Sequence, residues 1–238
     1  METTLSSQEN HRYLREKAGY FFLGDFCLIS AEGSDLFNYL QTQTTNDVNE
    51  LKPGQGQNNA IVDRKARVIS TFSLHRTGEE SAVILVETQQ KENLLNHLNT
   101  FLFREDVTFT LCNHFVLALQ GPKSQEIIKN FTRSNDSIPE KPNDICKFTF
   151  EGLPALAIAK SLTGEEGCVL AFQTDSEDPI EKKLLEFEQQ NVLTQVDPHA
   201  QEVFRIESGI PSYGKDINDK NILPETGLEH SSVSYNKG

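Results

Sequence analysis

The strongest constraint on this chain is a rhythm: short runs in which apolar and polar residues alternate, broken by segments with helical spacing, and the order comes round twice. Side chains alternate faces along a strand and recur every three to four residues on a helix, so the two patterns are separable. Residues 20–29, 57–62, 67–75, 82–87 and 107–112 read as strands. Between them, 35–40 reads as a short helix capped by Ser34, whose side chain can accept an early helical N–H. Residues 91–101 read as an amphipathic helix with Leu94, Leu95, Leu98 and Phe101 on one side.

The second round opens with a strand at 115–119 and a helix begun by Gly121 and Pro122, running through Ile127, Ile128 and Phe131. A polar loop at 134–143 leads to strands at 146–150, 155–159 and 168–172, and to helices at 179–190 and 199–208. This order predicts an α+β chain built from two ferredoxin-like sheet-and-helix units, 1–113 and 114–238, with interleaving boundaries. The leading METTLSSQENHRYLREK is polar and is expected to be a frayed lead-in or a first exposed helix.

Composition narrows the function classes. At 238 residues, one large core or two small ones are allowed. Lys and Arg number 22 against 35 Asp and Glu, a net charge of −13, which disfavours nucleic acid as a partner. No apolar run reaches the roughly 18 residues of a membrane span, and the first residues lack a signal-peptide core. The expected location is the cytoplasm. Cys27, Cys112, Cys146 and Cys168 are far apart with no CxxC, so four buried thiols are expected and no metal site.

No nucleophile elbow, P-loop, HExxH or GxGxxG occurs. Three glycine-bearing stretches remain. LKPGQGQ at 51–57 reads as a turn before a strand, and TGEEG at 163–167 as a hairpin turn. Ser208, Gly209, Ile210 and Pro211 end a helix with Gly where a left-handed cap belongs. From Arg205 onward the chain is poor in apolar residues and rich in turn-formers, and it breaks off at Lys237 and Gly238 as if cut short.

Taken in order, LQTQTTNDVNELKPGQGQNNAIVDRKARVIS, LALQGPKSQEII, LTGEEGCVL and RIESGIPSYGKDI with ILPETGLE and VSYNKG resemble the glycine-cleavage T-protein (aminomethyltransferase) family over nearly the whole chain. The likeness is nearest to its folate-binding, YgfZ-like branch. That resemblance implies tetrahydrofolate or a derivative in a central cavity formed by the two units and a third, C-terminal β-barrel domain that is missing here. It also implies support of iron–sulfur enzymes and tRNA modification rather than glycine cleavage. The branch's hallmark, roughly Lys-Gly-Cys-Tyr-x-Gly-Gln-Glu, would begin at Lys237 and Gly238, its thiol one residue further on.

Where the family's aminomethyltransferases carry an Asp pair, this chain has Ser70 and Thr71. Steering a developing cationic amine needs a carboxylate, and a hydroxyl has no useful pKa for it. Leu162 replaces a family Tyr, and Val169 a Glu. No catalytic residue is assigned; were transfer retained, Glu87 or Asp63 would have to supply the carboxylate. Binding fares better. Alternation puts Thr71, Ser73 and His75 on one strand face and Phe72 and Leu74 on the other. The resemblance turns the first face towards the pterin; without it, the face reads as solvated.

Glu207 matches the family's pterin anchor, where a carboxylate can accept two parallel N–H bonds. Its alternative is an ion pair with Arg205 or a nearby Lys. Lys237 would meet a glutamate tail or a substrate anion, or else be a solvated terminal residue. Asn46 and Asp47 fix a turn through side-chain-to-backbone bonds. His114 and His199 are surface or packing residues. A third possibility is a non-catalytic module whose acidic surface docks a partner.

Overall fold

The first apolar run, 20–29, is not one strand. β1 (Gly19–Phe22) and β2 (Phe26–Glu32) are parted by a turn and enter different sheets. At the break Leu23 N–H donates to Val116 O, while Asp25 O accepts from Thr88 N–H. The alternation runs on through the turn, and its backbone partners lie far off in sequence, so the pattern gives no warning of the break. A computed structural model describes residues 7–132, 137–174 and 177–237.

Two compact units result, and they interleave. One comprises Met1–Gly24, His114–Pro142 and Cys146–Ile210; the other, Asp25–Asn113, Asn143–Ile145 and Pro211–Gly238. Seams fall after 24, 113, 142, 145 and 210; the first and last arise because β1 pairs with the strand at His114–Gln120 and the last segment packs with the Asp25–Asn113 unit.

In the first unit the described strands run in the order β11 (Thr194–Gln195), β1, β7 (His114–Gln120), β10 (Gly167–Gln173), β9 (Leu153–Ala159) and β8 (Ile145–Phe150). Leu117, Leu119, Leu170 and Phe172 project from this sheet into one core. There they meet Ile127 and Ile128 of α4 (Ser124–Ile128) and Ile180, Leu184 and Phe187 of α5 (Glu177–Gln189). Phe172 is fully buried and its ring meets those of Phe115, Phe131, Phe148 and Phe150. Truncating such a side chain typically costs about 3–5 kcal/mol.

Two helices complete this unit. α1 (Ser7–Glu16) gives the polar lead-in a helical form and packs on β1 and α6 (Pro198–Glu207). Asp197 caps α6, accepting from His199 N–H and Ala200 N–H, with Pro198 in the first turn where no donor is needed. At its far end Ile210 N–H reaches Arg205 O and Gly209 N–H reaches Ile206 O, with Gly209 at φ +64°. That is a Schellman turn, as the sequence leads one to expect.

The second unit holds an antiparallel sheet in the order β3 (Gly56–Val62), β4 (Val68–Arg76), β5 (Ser81–Glu87), β2 and β6 (Thr108–Leu111). Phe72, Leu74, Ile84 and Val86 face α2 (Leu36–Gln43) and α3 (Lys91–Thr100), meeting Leu36, Leu40, Leu94 and Leu98. Phe101 instead stays 43% exposed, because α3 ends before it. Ser34 does not cap α2; its hydroxyl donates to Asp106 instead. The 63–66 join needs no Gly, because Asp63 accepts from Lys65 and Arg67 N–H and Ala66 takes φ +61°.

The polar-looking tail carries a small core of its own. Leu223 packs with Ala60 and Val68, flanked by Tyr213, Leu228 and Val233, and α7 (Glu229–Ser232) lies on β3. Of the four thiols only Cys168 is fully buried; Cys27, Cys112 and Cys146 keep some exposure because each lies near a strand end. No described helix is long and apolar enough to cross a membrane.

Candidate functional site

β4 carries the hydroxyls that replace the expected Asp pair, and its two faces differ as alternation requires. Phe72 and Leu74 enter the apolar core, while Thr71, Ser73 and His75 lie on the other side. That second face is not a solvated one: Ser73 and His75 are buried, and Thr71 keeps partial exposure. His75 Nδ1 lies 2.9 Å from Asn143 O, a carbonyl that only accepts, so Nδ1 bears the proton. Nε2 is hydrogen-bonded to the Ser73 hydroxyl at 2.9 Å. A side chain at Gly56, opposite on β3, would collide with this imidazole. The glycine of the LKPGQGQ turn therefore makes room for His75.

Thr71 is held differently. Its N–H donates to Gln90 Oε1 at 2.8 Å, and its hydroxyl lies within 3.4 Å of the same amide. Gln90 is buried and extends the ladder just beyond the end of β5. Ser70 is fully buried, its hydroxyl without a partner among the described residues. Neither position of the pair bears a charge, and Ser70 could not bear one cheaply.

The two stand-in carboxylates separate clearly. Asp63 is spent on its turn, its carboxyl lowered by the Arg67 and Lys65 N–H bonds. Glu87 ends β5, two residues beyond Leu85, the register partner of Ser73, which puts it on the Thr71 side of the sheet. Burial pushes the Glu87 carboxyl up, against hydrogen bonds from Gln89, Tyr213 and Ser212.

At the other candidate position, Glu207 is the last residue of α6 and about half exposed. Its ion-pair partners are not Arg205 or a lysine. His11 Nε2 at 3.1 Å and Arg15 Nη2 at 3.0 Å both meet Oε2, while Arg205 is turned to Glu202 and to Ile210 O. The bonds from His11 and Arg15 hold this carboxyl below its ordinary value, slight desolvation opposing them. Arg15 also pairs with Glu165 of the 163–167 hairpin. That hairpin is clamped by buried Gln120, which accepts from Leu162 N–H at 2.8 Å and donates to Lys160 O at 2.9 Å.

Lys237 is neither solvated nor free for an anion: its ammonium donates to Thr44 O and to Asn46 O. Desolvation pulls its pKa down, with Asp47 opposing. Asn46 and Asp47 do fix the turn, Asn46 Oδ1 accepting from Asp47 N–H and Asp47 Oδ1 from Asn49 N–H. His114 is half-buried and its pKa is lowered by desolvation. Gly238 lies outside the described residues, as does part of the 134–143 loop.

Arg15, His11, Gln90 and Gln120 went unnoticed in the sequence. The i, i+4 pair in HRYLREK was the one local signal, since it places His11 and Arg15 on one helix face. Two surface depressions lie apart from the residues above: about 500 Å³ by Phe150, Asp178 and Lys182, and about 320 Å³ by Asp35, Tyr39 and Arg104.

Comparison with known proteins gives the class. The GCVT N-terminal domain profile matches residues 2–237, and the chain belongs to that family. It is 30% identical over 246 residues to an aminomethyltransferase of Oceanobacillus iheyensis, covering 98% of this chain and 64% of the relative. An aminomethyltransferase of Bacillus cytotoxicus is 27% identical over 231 residues, covering 94% and 61% respectively. The chain thus spans 61–64% of the length of these curated relatives. Among solved structures, glycine cleavage system aminomethyltransferase T from Bartonella henselae superposes with a TM-score of 0.76 at 20% identity, over 90% of this chain and 57% of that one. The mixed α+β architecture with two sheets is the fold of that protein.

Proposed function

We propose that this chain is the folate-binding part of an aminomethyltransferase-type protein, with a reduced folate anchored through its pterin on Glu207. The observation that carries this reading is the state of that carboxylate: ionised, half exposed, and offering an oxygen that no neighbour among the described residues uses. Such a group suits the paired N–H edge of a pterin. On β4, Thr71 keeps exposure to spare. Ser73 and His75 are occupied with each other and act by shaping the strand, and Lys237 must leave two carbonyls before it can reach a ligand.

Whether the folate carries a group for transfer is the finer question. The relatives named aminomethyltransferase favour transfer, and Glu87 is the carboxylate placed to serve it. The hydroxyls at Ser70 and Thr71 oppose it. Support of iron–sulfur enzymes and of tRNA modification in the cytoplasm rests on the sequence resemblance alone; no relative named above is described in those terms. An assay of aminomethyl transfer from a lipoyl carrier protein to tetrahydrofolate decides between them. Turnover at ordinary enzyme rates that Glu87→Gln abolishes would establish transfer. Folate binding without turnover would leave the accessory role.

A further inference from the structure

Glu207 stands where a helix least favours a negative charge. It is the last helical residue of α6, beside the carbonyl end of the helix dipole, and its neighbours must offset that field. They come from α1, one turn apart. Both His11 Nε2 and Arg15 Nη2 land on Oε2, and among the described residues Oε1 accepts nothing. The guanidinium is held on two further sides: its Nη1 pairs with Glu165, and its centre lies 5.0 Å from the centroid of the Phe204 ring. His11 has less to hold it, a stack on the same ring at 4.5 Å and 12°.

All these pairs are 21–47% exposed, so they add little to stability, and their effect is on orientation. A pterin edge presents two parallel N–H groups, which need one lone pair from each carboxylate oxygen. Oε1 has lone pairs to give, whereas both of those on Oε2 are engaged. One donor must therefore leave when the ligand arrives. Moving Arg15 breaks two ion pairs and a cation–π contact; moving His11 breaks one hydrogen bond and a stack.

We propose that Arg15 is the positioning residue for the Glu207 carboxylate, and that His11 holds the seat on Oε2 that the ligand's second N–H takes over. The proposal rests on the reading of Glu207 as pterin anchor. It predicts opposite effects from two residues on one helix face. Arg15 keeps the carboxylate aimed, with the hairpin tethered through Glu165, while His11 competes with the ligand and departs on binding.

Calorimetric titration with tetrahydrofolate tests this on the whole chain and its variants, with melting temperatures as a control on folding. Arg15→Ala is expected to weaken binding about tenfold, the loss of one charge-assisted bond, and Arg15→Lys to restore most of it. His11→Phe, which keeps the stack and removes the donor, is expected to tighten binding about threefold. A merely structural role for α1 would produce no tightening. Should Arg15→Ala fail to fold, Glu165→Gln loosens the tether with the guanidinium in place and is expected to weaken binding about threefold. Weaker binding in His11→Phe, or unchanged binding in Arg15→Ala, overturns the proposal while Glu207→Gln still weakens binding at least about thirtyfold. If Glu207→Gln binds like the parent chain, or the parent chain binds nothing at millimolar folate, the anchor reading falls and this proposal with it.

Discussion

The polar face of β4 and the end of α6 are built in opposite ways. At β4, Ser73, His75 and the Asn143 carbonyl form a buried hydrogen-bonded chain, and Ser70 is sealed in the core. At the end of α6 the groups are ionic and wet, and Glu207 leaves an oxygen open. The first arrangement suits rigidity and the second suits recognition.

The contrast breaks most visibly at Ser70. Ser70→Asp places a carboxylate without a partner in a fully buried position, and it is expected to cost more than about 3 kcal/mol or to prevent folding. Thr71→Asp, on the partly exposed face, should be tolerated. Urea unfolding of the two variants measures the difference, and equal stability would mean that the β4 core is not dry. Next comes His75→Ala. It strands the Ser73 hydroxyl and the Asn143 carbonyl, with an expected loss of about 2–3 kcal/mol in the same experiment.

Ser70→Ala should do the reverse. It removes a buried hydroxyl that has no partner, so stability is expected to be unchanged or to rise by up to about 1 kcal/mol. A clear loss would show that the hydroxyl has work to do.

A pH-dependent effect concerns Lys160, which follows β9 just before the 163–167 hairpin. The residue as a whole is partly exposed, but its ammonium end is desolvated and its pKa is pulled down to about 8. Between that value and the ordinary 10.5 the unfolded chain binds the extra proton, so stability rises as pH climbs through this window. Lys160→Met should flatten that rise in unfolding measured across the window. An unchanged slope would assign it to another group.

How far the sequence could be read follows from the range of the interactions. Strands β3, β4, β5, β7, β9 and β10 and helices α3, α5 and α6 were visible within a few residues, because alternation and capping are local. The Gly209 turn was legible for the same reason. The division of 20–29 was not, since Leu23 is claimed by Val116 and Asp25 by Thr88. In the tail, Leu223, Leu228 and Val233 follow neither period, so their packing on Ala60 and Val68 left no signature. At the site, the face of Thr71, Ser73 and His75 could be grouped by spacing. The partners of Glu207 could not be found that way, because Arg15 lies 192 residues away. Glu87 was visible as a carboxylate, but only the strand register separates it from Asp63.

The proposal that this chain holds a reduced folate through Glu207 is tested most directly by isothermal titration of the chain and of Glu207→Gln with tetrahydrofolate. A dissociation constant below about 1 mM is expected for the parent, weakened at least about thirtyfold in the variant, with unchanged melting temperature. Equal affinity in the two proteins, or no heat of binding from the parent, would contradict it.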